Sequence, residues 1–284
     1  RKVVELLKQD YIVVVTGFQG VTHDGEITTL GRGGSDTTAA ALGVALNAEL
    51  IEIFTDVDGV KTADPKIVNE AKTLDEVTYN EICNLAYEGA KVIHPRAIEI
   101  AAQKNIPLKV RCTFNDEPGT LVTNHRNTIE PETWITGDKP VTGITQVTSI
   151  TQIKVSLGKT VDLCLTSKVF RSLADVGISV DFINVHPTEI LFTVKDQVVA
   201  KAQKVLEDMS LELAIRPGCA KVSVVGAGMT GRPGIMASIV EALSNEGIPI
   251  LQSADSYTTI WCLVDQKDME KAIRALHKKF HLDE

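Results

Sequence analysis

Residues Val169–Val180, VFRSLADVGISV, recur 70 positions later as IVEALSNEGIPI, Ile239–Ile250. The offset persists downstream: TEILFTV from Thr188 matches TTIWCLV from Thr258, and AQKVL from Ala202 matches AIRAL from Ala272. A duplicated block has to fold the same way twice, which constrains this chain more than any other feature. Each copy reads strand, helix, strand, strand, helix. Copy one, residues 151–217, closes with a further strand, LELAIR (Leu211–Arg216). Copy two, residues 218–284, reaches its last residues without one, and a half-open sheet leaves an exposed edge. The alternating segment VTGITQVTSI (Val141–Ile150) is predicted to supply that edge, so that copy one is inserted within copy two. Finding Gly143–Val147 unpaired with the second copy would exclude this arrangement.

The first 125 residues have a different rhythm. A short helix tail (Val3–Lys8) precedes YIVVVT (Tyr11–Thr16), which reads as a continuous apolar strand. A helix over Asp36–Leu46 and a second buried strand, LIEIFT (Leu50–Thr55), follow. Thr78 and Glu81 have the T-x-x-E spacing of a capping box, opening a helix towards Gly89. Pro95 starts another in RAIEIAAQK, and LKVRC (Leu108–Cys112) is a further strand. Strands alternating with helices predict an α/β layer fold with a mostly parallel sheet. Residues 114–140 (NDEPG, TNHRNT, ITGDKP) carry turn chemistry, and the linker between the halves is placed at 126–140.

Composition excludes several classes of function. The chain has 284 residues, 44% apolar and 23% charged, enough for two globular domains. It has no apolar run of about 18 residues, so no membrane partner is expected. A net charge of −8 gives no basic footprint, so no nucleic acid partner is expected either. The five cysteines are scattered without a CxxC pair and read as reduced core residues of a cytoplasmic protein. The N-terminus has no signal-peptide cleavage site and no initiator Met, as expected of a processed chain or part of a longer one.

Three segments carry candidate chemistry. In TTLGRGGSDTTAAALGVAL (Thr28–Leu46) a glycine-rich turn meets a helix. Ser35 or Asp36 is predicted to cap that helix, whose free N–H groups form an anion site with the Gly33–Gly34 backbone. Arg32 adds a fork-shaped donor suited to a carboxylate or phosphate. FTDVDGVKTADPK (Phe54–Lys66) sets Asp56, Asp58 and Asp64 beside Thr55, Lys61 and Lys66 at a strand's C-terminal end, where open α/β sheets bind ligands. GAKVIHP (Gly89–Pro95) places Lys91 between two helices. Singly, each has an ordinary reading as a glycine turn, Asp-Gly turn chemistry or a solvated lysine.

Together and in this order, TLGRGGSDTTA, FTDVDGVKTADP and GAKVIHP resemble the amino acid kinase family, and the aspartokinases in particular. The resemblance spans essentially the whole chain, because the duplicated blocks look like the two ACT modules that follow an aspartokinase catalytic domain. The implied fold is α/β: the C-terminal part of an amino acid kinase αβα sandwich (1–125), then two ferredoxin-like βαββαβ ACT domains. The implied reaction transfers the γ-phosphoryl of ATP to the side-chain carboxylate of L-aspartate, chemistry that depends on positioning and charge neutralisation. On this resemblance Arg32 grips the substrate's α-carboxylate and Ser35 lies near the nucleophile. Asp36 orients the substrate amine or a catalytic lysine. Thr55 and Asp56 contact the nucleotide, Lys61 and Lys66 flank it, and Lys91 with the Val92 backbone holds adenosine or phosphates. Mg²⁺ travels with the phosphates, and no metal ligand is assigned to the chain. Lys61 departs from the aromatic residue, and Lys66 from the arginine, of many relatives.

ACT modules imply a homodimer and an amino-acid effector, an end product such as diaminopimelate, lysine or threonine. The details lie nearest the diaminopimelate-sensitive bacterial type. Candidate effector contacts are Asp162, Asp181 and Asn184 in copy one, and Ile250, Asp255 and Ser256 in copy two. Alternatives are a non-catalytic amino-acid-binding regulatory subunit and another small-molecule kinase of the same fold. VVGAGMTGRPG (Val224–Gly234) contains a literal GxGxxG, but copy one lacks the fingerprint at the matching loop. Its glycines read as shaping an effector or interface loop. His277 and His281 have metal-pair spacing without a third ligand, and His94 reads as structural. The family's opening Lys-Phe-Gly-Gly-Thr-Ser motif has no counterpart upstream of Tyr11. Losing a charge-stabilising donor of that kind costs about 10²–10³ in rate. The purified chain is therefore expected to phosphorylate aspartate negligibly. Aspartate-dependent ADP release in a coupled assay would contradict this.

Overall fold

The computed structural model describes residues 2–90, 92–124, 139–158, 163–229 and 231–284. All of the predicted linker except Lys139 and Pro140 lies outside them. The front half runs α1 (Lys2–Leu7), β1 (Gln19–Val21), β2 (Ile27–Thr29), α2 (Gly34–Leu46), β3 (Ile51–Thr55), β4 (Glu76–Thr78), α3 (Tyr79–Tyr87), α4 (Pro95–Ala102), β5 (Leu108–Cys112) and β6 (Thr120–Thr123). Its main sheet has the order β3-β5-β6-β4. Two junctions are parallel and the central one, β5 with β6, is antiparallel. Helices α2, α3 and α4 cover one face: Ile51, Ile53, Leu108, Val110 and Val122 are buried with Ala40, Ile82, Leu85 and Ile98. On the other face the Arg111 guanidinium lies 5.4 Å from the Phe54 ring centroid.

Two expectations for this half are corrected. Tyr11–Thr16 is not a strand, and Ile12 and Val14 are 95% and 92% exposed. A run apolar on both faces becomes an interior strand only where neighbours pair with it and cover it, and no described element does so. LIEIFT is half-buried, with Ile51 and Ile53 inward and Leu50 and Phe54 exposed. Strands β4 and β6 escaped prediction because three and four residues are too few to show a period.

The second half runs β7 (Gly143–Ser156), α5 (Leu163–Asp175), β8 (Asp181–Val185), β9 (Glu189–Lys195), α6 (Val199–Glu207), β10 (Glu212–Val225), α7 (Ile235–Asn245), β11 (Gln252–Asp255), β12 (Thr259–Asp265) and α8 (Met269–Lys279). One sheet carries them in the order β11-β12-β10-β7-β9-β8. The two 14-residue strands, β7 and β10, are its hinge. They pair antiparallel, with register shifts between Arg216 and Lys221. Gly143–Val147 pairs with Val225–Lys221 and completes the second copy's sheet, while Glu212–Arg216 pairs with Ser156–Gln152 and completes the first. Each long strand therefore serves both copies, and LELAIR is simply the first half of β10.

Helices α5 and α6 cover the first copy's core around Phe192 and Ile153. Helices α7 and α8 cover the second around Val222 and Ile239. The copies meet at Ile150, Phe182, Cys219 and Leu263. Gln152 Nε2 donates to Gln252 Oε1 at 2.8 Å, and Gln252 Nε2 donates to Asn184 Oδ1 at 2.5 Å. Not all the cysteines are core residues: Cys164 is exposed and Cys83 half-buried. Burial pushes the Cys262 thiol up to about 12, far from a reactive thiolate.

The halves are knitted together through the second copy. Ala63, Val68 and Ala71 of the front half belong to the same buried cluster as α7 and α8. Gly89, just past α3, has φ of 121°, and a Cβ there would stand 2.2 Å from the Gln146 carbonyl oxygen of β7. Only glycine lets the chain leave α3 at this distance. Gly89→Ala is expected to cost about 3 kcal/mol, lowering the melting temperature by about 6–12 °C. A shift smaller than about 2 °C would show that β7 does not hold this turn.

Candidate functional site

The glycine-rich junction folds around two left-handed residues, Gly31 and Gly33, at φ of 79° and 71°. Gly33 is the N-cap of α2, and no side chain caps the helix, so the predicted Ser35 or Asp36 cap is not formed. The left-handed turn starts the helix two residues before the predicted Asp36, which leaves Ser35 and Asp36 inside it, and only glycine fits at the cap because a Cβ on Gly33 would come within 2.4 Å of the His94 ring. Ser35 and Asp36 thus occupy the first turn, whose N–H groups lack intrahelical acceptors. Thr37 and Thr38 hydroxyls donate to the Gly33 and Gly34 carbonyls at 2.9 and 2.8 Å, fixing the turn. Arg32 and Ser35 are exposed and make no side-chain hydrogen bond among the described residues.

Asp36 points at the third motif, where its Oδ2 accepts from the His94 N–H at 3.2 Å. His94 is the N-cap of α4 with Pro95 behind it, and its Nδ1 accepts from the Arg96 N–H at 3.3 Å. His94 is therefore a structural link between two motifs. Val92 packs on the front core, and Lys91 lies outside the described residues.

Only the short turn 47–50 separates α2 from β3, so the start of α2 and the end of β3 share one end of the sheet. There Thr55 Oγ1 donates to Asp56 Oδ1 at 3.2 Å. Two of the three clustered carboxylates hold loops: Asp58 accepts from Asn115 Nδ2 of a separate loop at 2.8 Å, and Asp64 from the Lys66 N–H of its own turn at 2.9 Å. Lys61 Nζ donates to Thr73 Oγ1 at 3.1 Å, whereas Lys66 is exposed. Among the described residues no group of three or more His, Cys, Asp or Glu could hold a metal ion. The site offers an anion a helix start, an open backbone and exposed cations.

Sequence reasoning missed the residues that anchor this site to the second half. Glu81 closes the predicted capping box, Oε2 accepting from the Thr78 N–H at 2.9 Å. Its Oε1 accepts from the Thr142 hydroxyl and from the Ala227 N–H, the latter at 3.1 Å. Asn84 Nδ2 donates to Thr258 Oγ1 at 2.6 Å. Glu88 accepts from Ser223 Oγ at 2.9 Å, and its carbonyl from Thr145 Oγ1 at 2.9 Å. The sole signal was polar residues at i, i+3 and i+7 on one helical face, which ordinarily marks a solvated face.

In the repeats, Asp181 pairs with Lys221 at 2.7 Å and Asn184 is held by Gln252. Asp162 lies outside the described residues. Ile250 packs on the second copy's core. Asp255 and Ser256 line a cavity of about 510 Å³ with Gly231, Arg232, Gly234 and Tyr257. The remaining glycines of the GxGxxG have a packing role: a Cβ on Gly226 would stand 2.2 Å from the Pro140 oxygen, and on Gly228 3.1 Å from the Pro140 Cα. His277 and His281 face different partners, Thr62 Oγ1 at 2.9 Å and Glu284 at 3.2 Å.

The family profile described as "Amino acid kinase family" matches residues 1–112, and that described as "ACT domain" matches residues 214–278. Aspartokinase 1 of Bacillus subtilis is 52% identical over 95% of this chain and 66% of its own length. The Thermus thermophilus aspartokinase is 38% identical over 98% of this chain and 69% of its own. Among solved structures, Clostridium acetobutylicum aspartate kinase superposes with a TM-score of 0.86 at 29% identity, over 94% of this chain and 62% of that one. Escherichia coli aspartokinase III, in complex with aspartate and ADP, gives 0.77 at 29% identity over 98% and 63%. Its complex with lysine and aspartate also gives 0.77, at 28% identity, over 98% of this chain and 62% of that one. The chain thus spans about two thirds of the length of the relatives it matches.

Thr62, inside the second motif, ties this site to α8. Burial pulls the His277 imidazole below its ordinary value, against smaller upward pulls from Asp283 and Glu70. A depressed histidine leaves the folded state binding fewer protons than the unfolded one. The His277 contribution to stability is therefore fully present above about pH 6.5 and is lost as the pH falls below it. Urea midpoints of the wild type and His277→Gln, compared at about pH 7.5 and about pH 5.5, are expected to fall more in the wild type. Equal falls would remove His277 from the acid response.

Proposed function

Because this chain belongs to the aspartokinase family, we propose that it carries nucleotide and aspartate contacts of an enzyme that phosphorylates L-aspartate, joined to its amino-acid-sensing modules. In that reaction the β-carboxylate oxygen of aspartate bonds to Pγ of ATP as the bond to the bridging oxygen breaks and ADP departs. The single observation that carries the reading is the contact of Asp36 with the His94 N–H, with Gly33 against the His94 ring. It draws the first and third motifs to the end of the sheet where the second begins.

In this reading Arg32 and the first turn of α2 receive the substrate carboxylate, with Ser35 beside the nucleophile. Asp36 keeps one oxygen on His94 and offers the other to an amine. Thr55, Asp56, Lys61, Lys66, Lys91 and Val92 surround the nucleotide. The open backbone and exposed cations fit polyphosphate, and Mg²⁺ would enter with the phosphates and neutralise them. The catalytic part is assigned to 1–125. Residues 141–150 are assigned to the second ACT domain (218–284), and 151–217 to the first.

The cavity beside Asp255 and Ser256 suits an amino-acid effector, with Asp255 for its ammonium and the start of α7 for its carboxylate. Asp181, Asn184 and Asp162 are the first copy's candidates. Lysine, present in the Escherichia coli complex, joins threonine and diaminopimelate as the effectors to test. Homodimerisation through the ACT domains and a cytoplasmic location complete the proposal. Among the described residues no helix is long and apolar enough to cross a membrane.

A ligand at about 100 times its dissociation constant stabilises the folded state by about 2.7 kcal/mol. ADP·Mg²⁺ is thus expected to raise the melting temperature by about 5–10 °C, with a further rise on adding L-aspartate. Arg32→Ala should keep the ADP increment and lose the aspartate increment. An unchanged melting curve with ADP·Mg²⁺ would contradict the proposal.

A further inference from the structure

Glu88 is the C-cap of α3, where the helix dipole disfavours a carboxylate, and its side chain is 12% exposed. A buried acid in that position requires a cation. Lys221 of β10 supplies it, Nζ lying 3.0 Å from Glu88 Oε2. The same Nζ lies 2.7 Å from Asp181 Oδ2 of the first repeat copy. Lys221 is 7% exposed on its side chain and lies 6.0 Å from the Trp261 ring centroid. Asp181, by contrast, is 67% exposed. One ammonium is thus divided between a carboxylate open to solvent and one sealed beside the nucleotide loop.

We propose that Lys221 is a positioning residue that reports the charge state of Asp181, in the first repeat copy, to the Gly89–His94 loop. This rests on the aspartokinase reading and extends it, because the ligand that would neutralise Asp181 is the ammonium of an amino acid. When that happens Lys221 loses one of its two counter-charges and turns wholly to Glu88. Glu88 directly precedes Gly89, whose backbone is already wedged against Gln146. A change at the helix cap is therefore passed to Val92 and His94, and through the His94 N–H to Asp36. Burial alone would lower the Lys221 ammonium, but the Asp181 hydrogen bond and Glu88 together hold it above its ordinary value, so it stays charged.

Asp181→Asn imitates neutralisation without any ligand. In the otherwise unaltered chain it is expected to change amide hydrogen exchange across Gly89–His94 by about 3-fold or more. In a Lys221→Met/Glu88→Gln background, where both charges are removed together and neither is left buried alone, Asp181→Asn should leave those amides unchanged. Lys221→Arg should preserve the response. The relay is overturned if Asp181→Asn alters exchange in β8 and β9 only, or if the double variant still transmits it. ADP·Mg²⁺ titrations with and without L-lysine, L-threonine or meso-diaminopimelate then read the coupling directly. A change in ADP affinity of about 5–150-fold is expected in the wild type and none in the double variant. If the exchange response holds while none of these ligands binds, the effector assignment fails and the relay stands.

Discussion

Helix α3 is held by a carboxylate that no water reaches. Glu81 is fully buried, and burying an acid is costly unless its lone pairs are filled. Here they are filled by Thr78 at the start of the same helix, by Thr142 at the entrance to β7, and by the Ala227 backbone after β10. The positive end of the helix dipole adds to the effect. Hydrogen bonds to a charged acceptor contribute about 1.5–3 kcal/mol each. They are not additive, but together they fix three distant chain segments around one side chain. Asn84 and Glu88 continue the same face, so α3 lies along the second copy as a polar seam set between two apolar cores.

This seam decides what the molecule can transmit. Two of the segments proposed to hold the nucleotide rest on the second copy: the second motif through Thr62, on α8 and Ile144, and the Gly89–His94 loop through the end of α3, where the Glu88 carbonyl accepts from Thr145 Oγ1 of β7. The first copy reaches the front half by a different route, the shared strands β7 and β10 and the ammonium of Lys221. Among the described residues, the buried cluster under its helices α5 and α6 is drawn from the first copy. The second copy therefore carries the packing and hydrogen-bond contacts to the candidate site. An effector alters activity only by preferring one of two states, and the proposed relay places that preference at the solvent-exposed Asp181 end of the Lys221 bridge.

Much of this was legible in the sequence for a physical reason: local rules leave local marks. The 70-residue repeat offset foretold both copies, and the missing edge strand foretold the pairing of Gly143–Val147 with β10. Thr78 and Glu81 foretold a capping box. What failed depended on distant neighbours. Tyr11–Thr16 has strand composition, but burial belongs to the surroundings and not to the segment. The N-cap of α2 is Gly33, where a side chain would meet His94, which lies 61 residues on. Glu81 was legible as a capping residue but not as an anchor, and nothing local marked Asn84 or Glu88, since a face turned to water and one turned to another domain look alike in sequence.

Joined through Glu81, α3 and the second copy's half of β10 should behave as one cooperative unit, with the Gly89–His94 loop attached to it. Native-state hydrogen exchange across a range of low urea concentrations tests it directly. Amides of Ile82–Leu85 and Val222–Val225 are expected to open with the same free energy and the same urea dependence. Separate opening of α3 at lower free energy, while β10 stays protected, would contradict it.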